Sequence, residues 1–231
     1  AAASDLAFAF KDVGAAFEQK TGVKVVFTFG STGLLSKQIA DGAPFDVFAA
    51  ANVSYVDDVV KKGACDKGTQ SMYARGRIVV WSPEGGAAAA PASLAELADP
   101  RFTKIAIANP AHAPYGKAAK QALIKAGVWD TVQPKLVFGE NVQQTLQFAQ
   151  SGNADAAIVA LSLATVTKGG KSLAIDDTMF DPIDQALVVC GDGAIAAGRD
   201  FTAFVASEEG RSIMRRYGFL LPGETMVTSA R

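Results

Sequence analysis

The chain has 231 residues, enough for one large or two small domains. Hydrophobic residues make up 49% and charged residues 19%, so sizeable cores can be buried; a net charge of −1 supplies no field to draw nucleic acid or an anionic membrane surface. The apolar segments VKVVFTF at 23–29 and ALVVC at 186–190 are far below a bilayer span, which points to a soluble globular protein.

The chain opens on Ala1-Ala2-Ala3-Ser4-Asp5 with no export signal, which would have been removed upstream. Ser4 or Asp5 is placed to cap a first helix. In that helix Leu6, Phe10, Val13 and Phe17 share one face, with Lys11, Asp12 and Glu18 elsewhere, the period of a helix packed on a sheet. Residues 23–29, β-branched and aromatic, predict a strand ending at Gly30-Ser31-Thr32-Gly33 before a helix over 34–40. A short buried strand at 46–50 leads into a helix that runs to Lys62. A strand at 77–82 ends in Pro83-Glu84-Gly85-Gly86 and an alanine-rich loop at 87–90. Strands at 104–108 and 135–138 each lead into a helix, and a late strand at 184–190 precedes the helices that close the chain.

Short apolar strands alternating with helices imply an α/β architecture with parallel sheets. The strands at 77–82 and 184–190 read as crossings between two lobes. Residues 1–80 with 187–231 then form lobe I and 81–186 form lobe II, with a two-strand hinge and a cleft where a ligand fits.

Groups for catalysis are scarce. His112 is the only histidine and sits in a proline-bracketed loop, Asn109 to Pro114, the setting of a surface or cleft-rim residue. No GxxxxGK[ST] or GxGxxG motif occurs. The acidic pairs Asp57-Asp58, Asp176-Asp177 and Glu208-Glu209 are neighbours in sequence, do not face each other on a helix, and read as solvated charge. Cys65 and Cys190 fit neither a zinc set nor a CxxC motif; two buried thiols is the simpler expectation and one disulfide the other. No catalytic residue, cofactor or cation site is expected.

Four helix starts carry small or hydroxylated residues: Ala3-Ser4-Asp5-Leu6, Gly30-Ser31-Thr32-Gly33, Ala113-Pro114-Tyr115-Gly116 and Gly139-Glu140-Asn141-Val142. Each leaves backbone N–H groups without an internal partner and carries a partial positive charge, so it attracts anions without a cationic side chain. In α/β sheets such starts gather at the carboxyl edge of the strands.

The spaced series AAAS, FGST, QIxxGAPxDVF, ANPxxAPYG and ENV, in this order, resembles the periplasmic molybdate-binding components of ABC transporters over nearly the whole chain. The resemblance implies a two-lobed periplasmic-binding-protein fold of type II, each lobe a mixed, mostly parallel sheet flanked by helices. It also implies a molybdate or tungstate oxyanion held by neutral donors. These are the hydroxyls of Ser4 and Thr32, the amides of Thr32 and Asp5, and the amides of Tyr115 and Val142. Where some relatives supply a tyrosine hydroxyl this chain has Ala160, a loss that the Tyr115 hydroxyl could make good. The Asp5 carboxylate, repulsive to a dianion, is expected to turn away to cap the helix or pair with a cation. The implied partner is a membrane permease, the compartment extracytoplasmic and the state monomeric. The competing expectations are a sulfate or phosphate binder, and an α/β enzyme acting on a phosphorylated metabolite.

Overall fold

The computed structural model describes residues 1–191 and 193–224. Strands β1 (Ala2–Ala3), β2 (Phe29–Gly30), β3 (Val47–Ala50) and β4 (Ser71–Gly76) belong to a first sheet. Then β5 (Ile78–Pro83), β6 (Ile105–Ala108), β7 (Leu136–Gly139), β8 (Ala156–Ala160) and β9 (Gly170–Ala174) form a second, and β10 (Ile183–Val189) returns to the first. The orders are β2-β1-β3-β10-β4 and β7-β6-β8-β5-β9. In each sheet four strands run one way and a single strand, β10 or β5, runs against them. The two lobes thus repeat one plan, with β1 and β2 of the first placed like β6 and β7 of the second.

The chain passes between sheets at Arg77 and again between Ala174 and Ile183. Residues 78–80, expected with lobe I, pair with β8 in the second sheet, and 183–186, expected with lobe II, pair with β4 in the first. Hydrogen-bonded register sets these boundaries. The apolar runs from which they were expected continue across them.

Local chemistry accounts for the helices. Helix α1 (Ala9–Thr21) buries Phe10, Val13 and Phe17 and stops at Gly22, whose φ of 75° an L side chain rarely adopts. Helices α2 (Thr32–Ala40) and α3 (Val53–Lys61) follow β2 and β3, and Asn52 caps α3 by accepting from Ser54 N–H. Helix α4 (Pro114–Lys125) starts with proline, whose missing N–H costs nothing there. After it come α5 (Trp129–Val132), α6 (Val142–Gln150), α7 (Leu161–Ala164), α8 (Ile195–Ala206) and α9 (Glu208–Arg216). Phe10 and Phe17 meet Phe201 edge-on at 5.9 and 5.4 Å, fixing α1 against α8. A continuous apolar core joins these residues to Trp81, Ile105, Ile107 and Ile158 of the second sheet.

Three expectations are corrected. Of the strand expected over 23–29, only Phe29 enters a ladder, because the facing β1 offers two residues, Ala2 and Ala3. The alternation holds even so: Val25, Phe27 and Phe29 pack on the core while Val26 is 82% exposed. Neither Ser4 nor Asp5 caps α1; they lie in a 3-10 turn, Ser4–Leu6, whose cap residue is Ala3. Cys65 and Cys190 form a disulfide, because an antiparallel bridge sets the two side by side beside the Leu35, Phe48 and Val56 cluster.

Candidate functional site

The four helix starts named from sequence converge between the sheets. The 3-10 turn follows β1 and α2 follows β2; α4 and α6 follow β6 and β7, the equivalent strands of the other lobe. Together they wall a cavity lined by Ala3, Ser4, Asp5, Gly30, Ser31, Thr32 and Ala51 on one side and Ala113, Pro114, Tyr115, Asn141 and Val142 on the other. All five expected residues, Ser4, Asp5, Thr32, Tyr115 and Val142, are on this wall. The empty space is about 190 Å³, part of it open to solvent. Pockets for drug-sized molecules start near ~300 Å³, so this one suits a small ion better than a metabolite. Among the described residues no lysine, arginine or histidine lines it.

Its donors are defined by what already occupies their neighbours. Thr32 Oγ1 accepts the Ala51 N–H at 3.1 Å, which leaves its own proton to donate elsewhere. Among the described residues Ser4 Oγ has no hydrogen-bond partner, although Ser4 is buried. Asn141 accepts from Gln143 N–H and Gln144 N–H, so in the first turn of α6 the Val142 amide is the one left over. Gly33 N–H goes to the His112 carbonyl at 2.9 Å, leaving the Thr32 amide; Tyr115, second residue of α4, cannot bond within its own helix. The result is a shell of hydroxyls and amides facing one small space from both lobes.

The Asp5 carboxylate neither caps a helix nor, among the described residues, pairs with a cation; uncharged partners hold it. Its Oδ2 accepts from the Tyr115 hydroxyl and from Gln185 Nε2, each at 2.8 Å, while Tyr73 donates to Gln185 Oε1 at 2.7 Å. Burial pushes the Asp5 carboxyl up to about 6, opposed by its hydrogen bonds to Gln185 and Tyr115. Burial, with the Asp5 charge adding to it, holds Tyr73 and Tyr115 well above 10. The Tyr115 hydroxyl therefore does not replace a missing cavity donor: it is committed to Asp5. Ala160 is buried at the end of β8 and is not part of the wall.

Four residues that the helix-start pattern did not single out for the site matter here. Ser31 Oγ lies 2.9 Å from the His112 carbonyl and 2.8 Å from His112 Nδ1. Serine has one proton; given to the carbonyl, it makes Nδ1 the donor to Oγ, so Ser31 is not activated as a nucleophile. Gln185 and Tyr73 reach the site from β10 and β4. Nothing short-range marks Gln185 or Tyr73; Ser31 stands in a helix start and His112 in a loop read as surface or cleft rim, but their contact joins distant segments.

The model for bacterial extracellular solute-binding proteins matches residues 1–220. The molybdate-binding protein ModA of Rhodobacter capsulatus is 36% identical over 214 residues, covering 91% of this chain and 82% of that one. ModA of Azotobacter vinelandii is 33% identical over 223 residues, covering 95% and 88%. The solved structure of the Azotobacter vinelandii periplasmic molybdate-binding protein superposes with a TM-score of 0.88 at 29% identity, covering 96% of this chain and 97% of that one.

Proposed function

The chain belongs to the bacterial extracellular solute-binding proteins and, within them, to the molybdate-binding family, and from that premise we propose that it captures molybdate or tungstate between its lobes and delivers it to the permease of an ABC importer. The observation that carries this reading is the cavity itself: helix starts from both lobes, unpaired amides and hydroxyls, and, among the described residues, no cationic side chain. Ser4 and Thr32 donate through their hydroxyls, and Thr32, Asp5, Tyr115 and Val142 through their amides. Each charge-assisted hydrogen bond contributes roughly 1.5–3 kcal/mol, so several offset dehydration of the ion and reach micromolar affinity or better. Because the four amides can only donate and the Thr32 hydroxyl already accepts from the Ala51 N–H, most of the shell is set to donate, which favours fully deprotonated oxyanions over protonated phosphate.

The two lobes are the hinged halves. β5 and β10 carry the chain between them, and the ion is enclosed when the wall from α4 and α6 meets that from the 3-10 turn and α2. The protein acts by binding rather than catalysis, as a monomer, outside the cytoplasm. The Cys65–Cys190 disulfide supports that compartment, since such bonds persist where the environment is oxidising. None of the described helices is long and apolar enough to cross a membrane, in keeping with a separate permease.

Calorimetry and thermal melting with molybdate, tungstate, sulfate and phosphate test the proposal. A ligand that binds only the folded state raises its stability by mass action, so molybdate and tungstate should raise the melting temperature and release or absorb heat. No response to either ion would refute the proposal.

A further inference from the structure

Among the described residues Asp5 is the only charged residue on the cavity wall, and its sign is that of an oxyanion. It is 1% exposed, and while its Oδ2 takes two hydrogen bonds, its Oδ1 is equally shut from solvent and has none. The titratable groups that face it are Tyr73 from β4 and Tyr115 from α4. β10 contributes the uncharged Gln185, and α7 the Ser162 hydroxyl, which donates to the Asp5 carbonyl at 2.8 Å. β2, α2 and α6 close the space with Gly30, Thr32 and Val142, none of which titrates in the range of a carboxyl. Among the described residues no cation pairs with Asp5, and its carboxyl already sits at about 6.

A dianion entering this space adds like charge beside a buried carboxylate, and like charges in a dry site favour the protonated acid. Oδ1 is the oxygen free to receive the proton; Oδ2 keeps both of its bonds. We propose that Asp5 makes capture proton-linked: when a fully deprotonated tetrahedral oxyanion binds, Asp5 Oδ1 takes one proton from solvent and the residue stays in the complex as a neutral acid. One O–H bond forms at Asp5 Oδ1, the bond that breaks is that of the buffer acid or hydronium giving up the proton, and the ion keeps its charge. This inference rests on the oxyanion reading of the cavity and adds the pH regulation of that same site.

The test is calorimetric titration of sodium molybdate into the intact protein at pH 7.5, in buffers of low and high ionisation enthalpy, which counts protons taken up per ion. The native protein should take up a number approaching one per ion bound, and Asp5→Asn, which keeps the backbone amide but has no carboxyl, should take up none per ion bound. His112 is present in both proteins, so the difference belongs to Asp5. Absence of uptake by the native protein overturns the inference, as does undiminished uptake by Asp5→Asn, which would put the proton on the ion or another group. If Asp5→Asn does not fold, the native protein alone decides. Its molybdate affinity between pH 7 and 9 should fall as pH rises, by up to about tenfold per unit; a flat profile overturns the inference. Absence of molybdate binding is a different result, seen before any protons are counted, and refutes the oxyanion reading together with this one.

Discussion

Ser31 at the start of α2 and His112 in the loop before α4 join the two lobes beside the cavity: Ser31 Oγ is 2.9 Å from the His112 carbonyl and 2.8 Å from its Nδ1. Gly33 N–H reaches the same carbonyl at 2.9 Å. The approach depends on residue 33 having no side chain, since a Cβ there would lie 2.7 Å from that oxygen. These bonds span the cleft, so the lobe closure proposed above would form them and opening would break them.

Ser31→Ala removes both of its bonds while leaving the Gly33 contact. A loss of about 1–2 kcal/mol is expected, or roughly tenfold in Kd. It should appear in the release rate, because on the proposed closure mechanism opening the cleft breaks this contact. Stopped-flow measurement of molybdate release checks this, and an unchanged release rate would show that the pair does not hold the cleft shut.

Thr32→Ala deletes a hydroxyl held by the Ala51 N–H with its proton free to donate. The cost of one charge-assisted bond, about 1.5–3 kcal/mol, corresponds to a roughly 10- to 100-fold rise in Kd for molybdate. Thr32→Ser keeps the hydroxyl and should remain near the native value. Equal affinities for all three proteins in calorimetry would remove Thr32 from the site.

Gly116→Ala acts through the backbone. A Cβ at residue 116 collides with the Ala108 carbonyl, where α4 runs tightly past the end of β6. The helix must shift, taking the Tyr115 amide with it. Stability should drop by about 1–3 kcal/mol, with a parallel loss of affinity; a native melting temperature and Kd together would contradict the tight approach.

Replacing both Cys65 and Cys190 by serine should lower stability by about 2–5 kcal/mol. Neither residue is on the cavity wall, so Kd for molybdate at a temperature where the variant is folded should not change. A large change in Kd would mean that the bridge shapes the site.

The pH dependence of the ligand-free protein has a defined sign at Asp5. Its folded carboxyl lies at about 6 against an ordinary 3.8, so between these values the folded state holds more proton than the unfolded. This group's contribution to stability is therefore greatest below pH 4, falls as pH rises to about 6, and then levels off, a swing on the order of 3 kcal/mol. Denaturant unfolding of native and Asp5→Asn proteins from pH 4 to 7.5 should show the difference moving in the variant's favour. A difference independent of pH would show that Asp5 does not titrate in this window.

Much of the site was legible in the chain because its signals are short-range. Ser4, Thr32, Tyr115 and Val142 stand at helix starts that their own neighbours declare: hydroxyls, a Pro114 opening, an Asn141 cap. The pattern of Val25, Phe27 and Phe29 likewise announced an inward face, though not that β1 would pair with so little of it. Asp5 lines the cavity, yet its partners could not be read from the chain, because Gln185 lies 180 residues away and Tyr115 lies 110.

The amino-acid sequence by itself determined the alternation of strand and helix, the family, and the small uncharged donors at four helix starts. Each of these depends on residues within a turn or two of one another, where propensity and periodicity act. Only the tertiary structure decided that Ser31 meets His112, that Cys65 meets Cys190, that a buried carboxylate stands beside the cavity without a cation, and where the chain changes sheet. Those contacts join segments 81 to 180 residues apart, and which of many possible long-range pairings forms is settled by packing within the first lobe and between the two lobes, not by any local preference.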